Sequence, residues 1–307
     1  MNDKPIKLDD IVARIADKNY SCTSMTITVF GDAVSQHGGW IWLGSLIDAL
    51  GMLGYNERLV RTAVYRLVQQ DWLQTSKIGR RSYYCYTDTA KSQNEKAARR
   101  IYAANYPEWD GTWTLVAPTN VPEDKLDLFR KSLMWQGYNT LFTGLYAHPS
   151  SDRTSLHETL QEQYLVGKVL VFSATTEDGT SQALLKDMVQ TKWNIDELKA
   201  MYQEFVDFYR PLTKLVGKKG TLNSELSFAL RTLLIHEYRR ILLRDPDFPE
   251  AMLPSGWVGL EAQDLVKRLY RGLASTSAHY IQDKLENAQG PLAEPVAGFM
   301  RRFGGLT

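Results

Sequence analysis

Nine side chains between residues 58 and 82 carry the clearest chemistry in this sequence. Arg58, Arg61, Thr62 and Tyr65 recur at helical spacing, and Gln69 continues the row. Val60, Ala63, Val64 and Leu67 recur on the opposite side, so the spacing predicts a helix with one apolar and one polar face. Arg66 lies at the border of the polar face. Lys77, Arg80, Arg81 and Ser82 cluster at a glycine turn between two β-rich runs. Arginine is the side chain most often used against guanine edges in the major groove, and surface cations hold phosphates. Arg58, Arg61, Thr62 and Tyr65 are therefore expected at bases and nearby phosphates. Arg66, Lys77, Arg80, Arg81 and Ser82 are expected at the backbone or the minor groove. Residues 56–100 hold ten Lys/Arg and four Asp/Glu, a net +6, while the whole chain is +1. Positive charge is thus concentrated where the motif sits, as phosphate binding requires.

Enzymatic chemistry finds little support. Two cysteines, Cys22 and Cys85, form no CxxC motif and no disulfide framework. Five histidines show no metal-ligand spacing. His236-Glu237 opens like a zinc-binding HExxH helix, but Arg240 stands where the second histidine is needed. There is no GxSxG elbow and no glycine-rich phosphate loop. No catalytic residue, metal or cofactor is expected. The N-terminus lacks an apolar signal core and no run of about 18 apolar residues occurs, so the expected address is the cytoplasm, away from membranes.

The elements that must position the basic face follow from periodicity. The length suits two or three domains, and 44% hydrophobic with 23% charged residues is globular. Helices are expected over 8–18 and 23–34, a short strand over 40–42 and a helix over 44–53. The basic-faced helix spans 56–70 behind an Asn56 cap, and a hairpin pairs 72–77 with 82–87. Helix, strand, helix, turn, helix, hairpin is the order of a winged helix-turn-helix, placed at 20–88. A linker helix follows over 89–108. A β-α-β, β-α-β order over 109–176 suggests a ferredoxin-like α/β sandwich, with strands at 112–117, 138–147 and 168–174 and helices at 123–135 and 154–163. Glu177-Asp178-Gly179-Thr180-Ser181-Gln182 reads as a linker. Residues 182–307 read as an all-helical effector and dimerisation domain, with helices over 195–209, 226–244 and 261–278. A proline-punctuated loop covers 245–257, and the tail beyond 287 is rich in Gly and Pro, with Phe299–Phe303 able to dock. The fold class is α+β multidomain.

Ordered segments then match a known family. They are Gly39-Trp40-Ile41-Trp42-Leu43-Gly44-Ser45-Leu46, Glu57-Arg58-Leu59-Val60-Arg61-Thr62-Ala63, Ile78-Gly79-Arg80-Arg81-Ser82-Tyr83-Tyr84, Trp109-Asp110-Gly111 and Trp135-Gln136-Gly137. They continue through Phe208-Tyr209-Arg210-Pro211, Leu234-Ile235-His236-Glu237-Tyr238-Arg239-Arg240, the proline loop and Arg302-Phe303-Gly304-Gly305-Leu306. From about residue 20 to its end the chain resembles the PaaX family, bacterial repressors of phenylacetic acid catabolic genes. The resemblance implies a homodimeric repressor on double-stranded operator DNA, released by phenylacetyl-CoA. Such an effector needs cations, a stacking surface and a dry pocket. His236, Arg239 and Arg240 share a helical face. Arg210, Arg244, Tyr238 and Trp257 are the other candidates to hold it. An alternative is a metal-dependent nucleic-acid-processing enzyme built on the ferredoxin-like middle, which resembles small CRISPR-adaptation nucleases. Asp110, however, precedes the first strand, and Pro118-Thr119-Asn120 follows it.

Overall fold

The computed structural model describes residues 6–104, 109–149, 153–216 and 222–306. In chain order it holds α1 (Leu8–Asp17), α2 (Cys22–Asp32), β1 (Ile41–Trp42), α3 (Leu43–Met52), α4 (Glu57–Gln69), β2 (Leu73–Ile78), β3 (Arg81–Tyr86) and α5 (Asp88–Ile101). Then come β4 (Trp113–Ala117), α6 (Glu123–Trp135), β5 (Asn139–Phe142), β6 (Leu145–His148), α7 (Thr154–Glu162), β7 (Leu170–Ala174) and α8 (Gly179–Lys192). The remainder is α9 (Ile195–Tyr209), α10 (Thr213–Val216), α11 (Ser224–Leu242), α12 (Val258–Lys284), β8 (Glu286–Asn287), β9 (Gly290–Pro291) and α13 (Ala297–Met300). The protein is a mixture of helix and small antiparallel sheets. Among the described residues, no helix is long and apolar enough to cross a membrane.

Contacts gather the chain into two units, which cut across the three expected segments. One comprises Met1–Asn105, Phe205–Arg239 and Ala262–Thr307; the other comprises Tyr106–Glu204 and Arg240–Glu261. In the first, α2 forms despite its run of threonine and valine. Ser21 caps its first turn, and the Thr26 hydroxyl donates to the Cys22 carbonyl at 2.8 Å. Burial of Met25, Val29 and Phe30 supplies the stability that propensity lacks. α2 packs on α4. The sheet runs β1-β3-β2, with β2 and β3 paired from Leu73↔Tyr86 to Ile78↔Arg81.

The centre of this unit is charged. Asp32, at the end of α2, is buried with Arg231 of α11 and Arg302 of the tail. Its Oδ2 accepts from Arg231 Nε and its Oδ1 from an Arg302 guanidinium nitrogen, each at 2.8 Å. Tyr102 and Tyr270 also donate to Oδ1 at 2.8 Å. Burial by itself would raise the Asp32 pKa, but the two guanidiniums hold it below the usual carboxylate range. Nearby, Glu237 accepts two hydrogen bonds from Arg14, at 2.7 and 2.9 Å, and one from Tyr20 at 2.9 Å. The Gly- and Pro-containing tail therefore ends docked: Phe299, Arg302 and Phe303 are all buried.

In the second unit, β4-α6-β5-β6-α7-β7 forms a four-stranded sheet in the order β5-β6-β4-β7, with every neighbouring pair antiparallel. Val116, Phe129, Leu133, Tyr146, Leu156 and Leu160 form the core beneath its two helices. Residues 177–182 are not wholly a linker. Asp178 accepts from the Ser181 amide at 2.7 Å and caps α8, which starts at Gly179. The spacing concealed this because α8 has no strong apolar stripe. α12 extends past 261–278 at both ends, because its flanks are buried at Val258, Tyr280 and Ile281. The expected linker helix ends at Ile101, and its residues 105–108 lie outside the described range.

Candidate nucleic-acid interface

α4 is fixed from its apolar side. Val60, Ala63, Val64 and Leu67 are buried, and Asn56 accepts from the Leu59 amide at 2.9 Å. Burying those four side chains stabilises the seating of the helix by roughly 1–3 kcal/mol each. The opposite ridge is thereby turned to solvent with Arg58, Arg61, Thr62, Tyr65 and Arg66 exposed, Tyr65 at 65%. The Thr62 hydroxyl donates back to the Arg58 carbonyl at 2.8 Å, which leaves its oxygen as an acceptor.

The hairpin supplies the second cationic surface. Gly79 has φ +59°, the left-handed conformation that a two-residue hairpin loop asks of its first residue. Only Leu73 of β2 is buried, so Lys77 and the tip residues Arg80 and Arg81 stand in solvent, with Ser82 half-buried. The cations differ in their engagements. Arg61 pairs with Glu57 at 2.7 Å one turn away. Arg81 pairs with Glu286 of β8 at 3.0 Å and lies 4.2 Å from the ring centre of Trp42. Among the described residues, Arg58, Arg66, Lys77 and Arg80 make no ion pair. Four free cations and two lightly held ones on one ridge and one β-tip form a surface suited to a polyanion.

The expected effector residues differ in burial and fall in both units. His236 and Tyr238 lie in the first unit's core: α11 is buried almost all round from Phe228 to Tyr238, so its polar groups become interior partners. His236 Nδ1 is 3.0 Å from the Thr28 hydroxyl, and its ring centre is 4.7 Å from that of Tyr20. Arg239 is half-buried in that unit, where Arg210 is exposed. Arg240, Arg244 and Trp257 belong to the other unit. There Arg240 is half-buried, Trp257 is buried edge-on to Tyr202, and Arg244 is exposed beside Glu197.

Sequence spacing did not find Asp32, Arg231 and Arg302, whose partnership spans up to 270 positions. Lys131 and Lys192 belong to no spacing pattern, although Lys131 lies one turn before the Trp135-Gln136-Gly137 segment.

Family models match the chain in three successive blocks. They are described as PaaX-like protein over residues 21–90, PaaX protein central Cas2-like domain over 106–185, and PaaX-like protein C-terminal domain over 193–283. Transcriptional repressor PaaX of Escherichia coli (strain K12) is 38% identical over 287 residues, which cover 93% of this chain and 91% of that protein. Among solved structures, Uncharacterized protein Rv0674 from Mycobacterium tuberculosis aligns with a TM-score of 0.50 and 17% identity. The alignment covers 84% of this chain and 97% of that one, a likeness of fold alone.

Proposed function

The chain belongs to the PaaX family, and on that premise we propose that it is a DNA-binding transcriptional repressor of phenylacetate catabolic genes rather than an enzyme. The observation that carries this is the exposed, arginine-rich face of α4 together with the basic β2–β3 tip. On this reading, residues 20–88 act as a winged helix-turn-helix. α4 enters the major groove with Arg58, Arg61, Thr62 and Tyr65 at base edges and nearby phosphates. The hairpin grips backbone or minor groove through Lys77, Arg80, Arg81 and Ser82, and Arg66 takes a phosphate.

The rest of the reading concerns control. The strand order β5-β6-β4-β7 supports a ferredoxin-like sandwich for the middle of the chain. The protein acts in the cytoplasm as a homodimer, so that two copies of α4 meet two half-sites. Phenylacetyl-CoA binds the form that does not hold DNA. Moving the population from nearly all bound to nearly all free requires roughly ten-thousand-fold tighter binding to that form.

An anisotropy titration tests this reading. Labelled promoter duplex from a phenylacetate operon should bind and be released by phenylacetyl-CoA, but not by phenylacetate. Replacement of Arg58, Arg61, Arg80 and Arg81 by alanine should abolish binding while the fold survives. Undiminished affinity in that variant would place the DNA on another surface. Metal-dependent cleavage of the duplex would favour the nuclease alternative.

A further inference from the structure

The second unit contains a cleft of about 420 Å³ whose lining residues, Arg244 apart, the sequence assigns to no site. The end of α6, the start of β5, the α8–α9 junction and the loop after α11 border it, and it is open to solvent on one side. Three cations line it, Lys131, Lys192 and Arg244, together with the indoles of Trp135 and Trp193. Its one acidic lining residue is Asp245, whose Oδ2 accepts from Tyr202 and whose Oδ1 accepts from the Asp247 amide. That carboxylate is thus occupied within the protein, and the cleft keeps net positive charge.

The turn at Gly137 shapes it. Gly137 has φ +88°, and a Cβ there would stand 2.5 Å from the Pro246 carbonyl oxygen. Only glycine lets the α6–β5 turn approach that loop so closely. His148 Nε2 meets the same carbonyl at 2.6 Å and fixes the loop from behind.

The cations are placed rather than spent. Lys192 Nζ donates to the Leu141 carbonyl at 2.6 Å, which holds it at the rim, and an ammonium has two further donors. Its second contact, to the Thr140 carbonyl, is long at 3.4 Å. Arg244 touches Glu197 at 3.4 Å with both side chains 59% exposed, a weak pair that a phosphate can displace. Lys131 is exposed, and so is Trp135, at 57%. Cations with flat apolar surfaces beside them select a ligand that carries both phosphate and planar groups.

We propose that this cleft seats the effector, a phosphate-bearing aryl thioester of the CoA type. Lys131, Lys192 and Arg244 take its phosphates, and Trp135 and Trp193 take its planar groups. This rests on the reading that an aryl-CoA relieves repression, and it replaces the candidates Arg210, His236, Tyr238, Arg239, Arg240 and Trp257 with residues lining the cleft. Arg244 is the one residue common to the two assignments.

Calorimetry and tryptophan fluorescence with full-length protein test it, using phenylacetyl-CoA, CoA and phenylacetate as separate probes. The wild type is expected to bind the thioester with tryptophan quenching, CoA more weakly, and phenylacetate weakest. Lys131→Gln/Arg244→Gln should weaken thioester binding tenfold or more, and Trp135→Ala should reduce the quenching. All three side chains are exposed, so the variants should keep wild-type DNA affinity, which serves as the check on folding. Should Lys131→Gln/Arg244→Gln prove unstable, Lys131→Glu alone replaces it with the same expected direction. Wild-type binding with unchanged affinity in the cation variants would overturn the cleft and leave the effector reading intact. No binding of any probe to the wild type would overturn the effector reading and this proposal together.

Discussion

Replacement of Arg58 and Arg80 by alanine should change how DNA affinity depends on salt, by an amount that the structure sets. Arg58, Arg66, Lys77 and Arg80 are the exposed cations on the α4 ridge and β-tip without an ion pair among the described residues. Two copies in the proposed dimer would present about eight such charges, and each phosphate neutralised adds about −0.9 to the slope of log K against log salt. The wild-type slope should therefore be about −7, and removal of Arg58 and Arg80 from both copies should bring it to between about −3 and −4. Between about 50 and 200 mM salt, the wild type should lose affinity roughly ten-thousand-fold and the variant roughly a hundredfold. Fluorescence anisotropy on a labelled operator across that range measures both lines. The two side chains are exposed, so unfolding free energy should move by no more than about 0.5 kcal/mol. An unchanged slope in a folded variant would refute the assignment of this surface to phosphate.

Three further outcomes follow from the packing. Asp32→Asn leaves Arg231 and Arg302 buried without their counter-charge, so denaturant unfolding should show a loss of about 3–5 kcal/mol; a change under about 1 kcal/mol would mean that the Asp32 carboxylate does not hold the two buried arginines in place. Because the folded Asp32 pKa is held below its unfolded value of about 3.9, its stabilisation is complete above that pH and disappears as pH falls through the lower folded value. The wild type should thus lose stability more steeply than Asp32→Asn below about pH 4, and parallel profiles would contradict it. Gly137→Ala forces a left-handed φ and a Cβ against the Pro246 carbonyl, which should cost about 2 kcal/mol or more by thermal melting; a neutral variant would refute the contact.

The sequence by itself determined what is local. The period of Val60, Ala63, Val64 and Leu67 announces α4 and, with it, which side its arginines occupy, because 3.6 residues per turn fixes both faces together. The alternation around Gly79 announces the hairpin for the same reason. Such signals need no knowledge of the rest of the chain. The start of α8 within the expected linker escaped notice because its burial is sparse and it lacks the stripe that periodicity detects. Tertiary structure alone decided what distant charges do. Arg302 looks like one of two neighbouring tail arginines, and Asp32 like an ordinary helix end, until 270 residues of chain bring them within hydrogen-bond distance in the buried interior. His236 and Arg239 share a face in the sequence, yet the packing around α11 turned His236 inward to Thr28. Lys131, Lys192 and Arg244 have no common period, and only the fold gathers them around one cleft, with the close turn at Gly137 in its wall. Helical and strand periods arise from backbone geometry over a few residues, whereas the partner of a buried charge is set by the path of the whole chain.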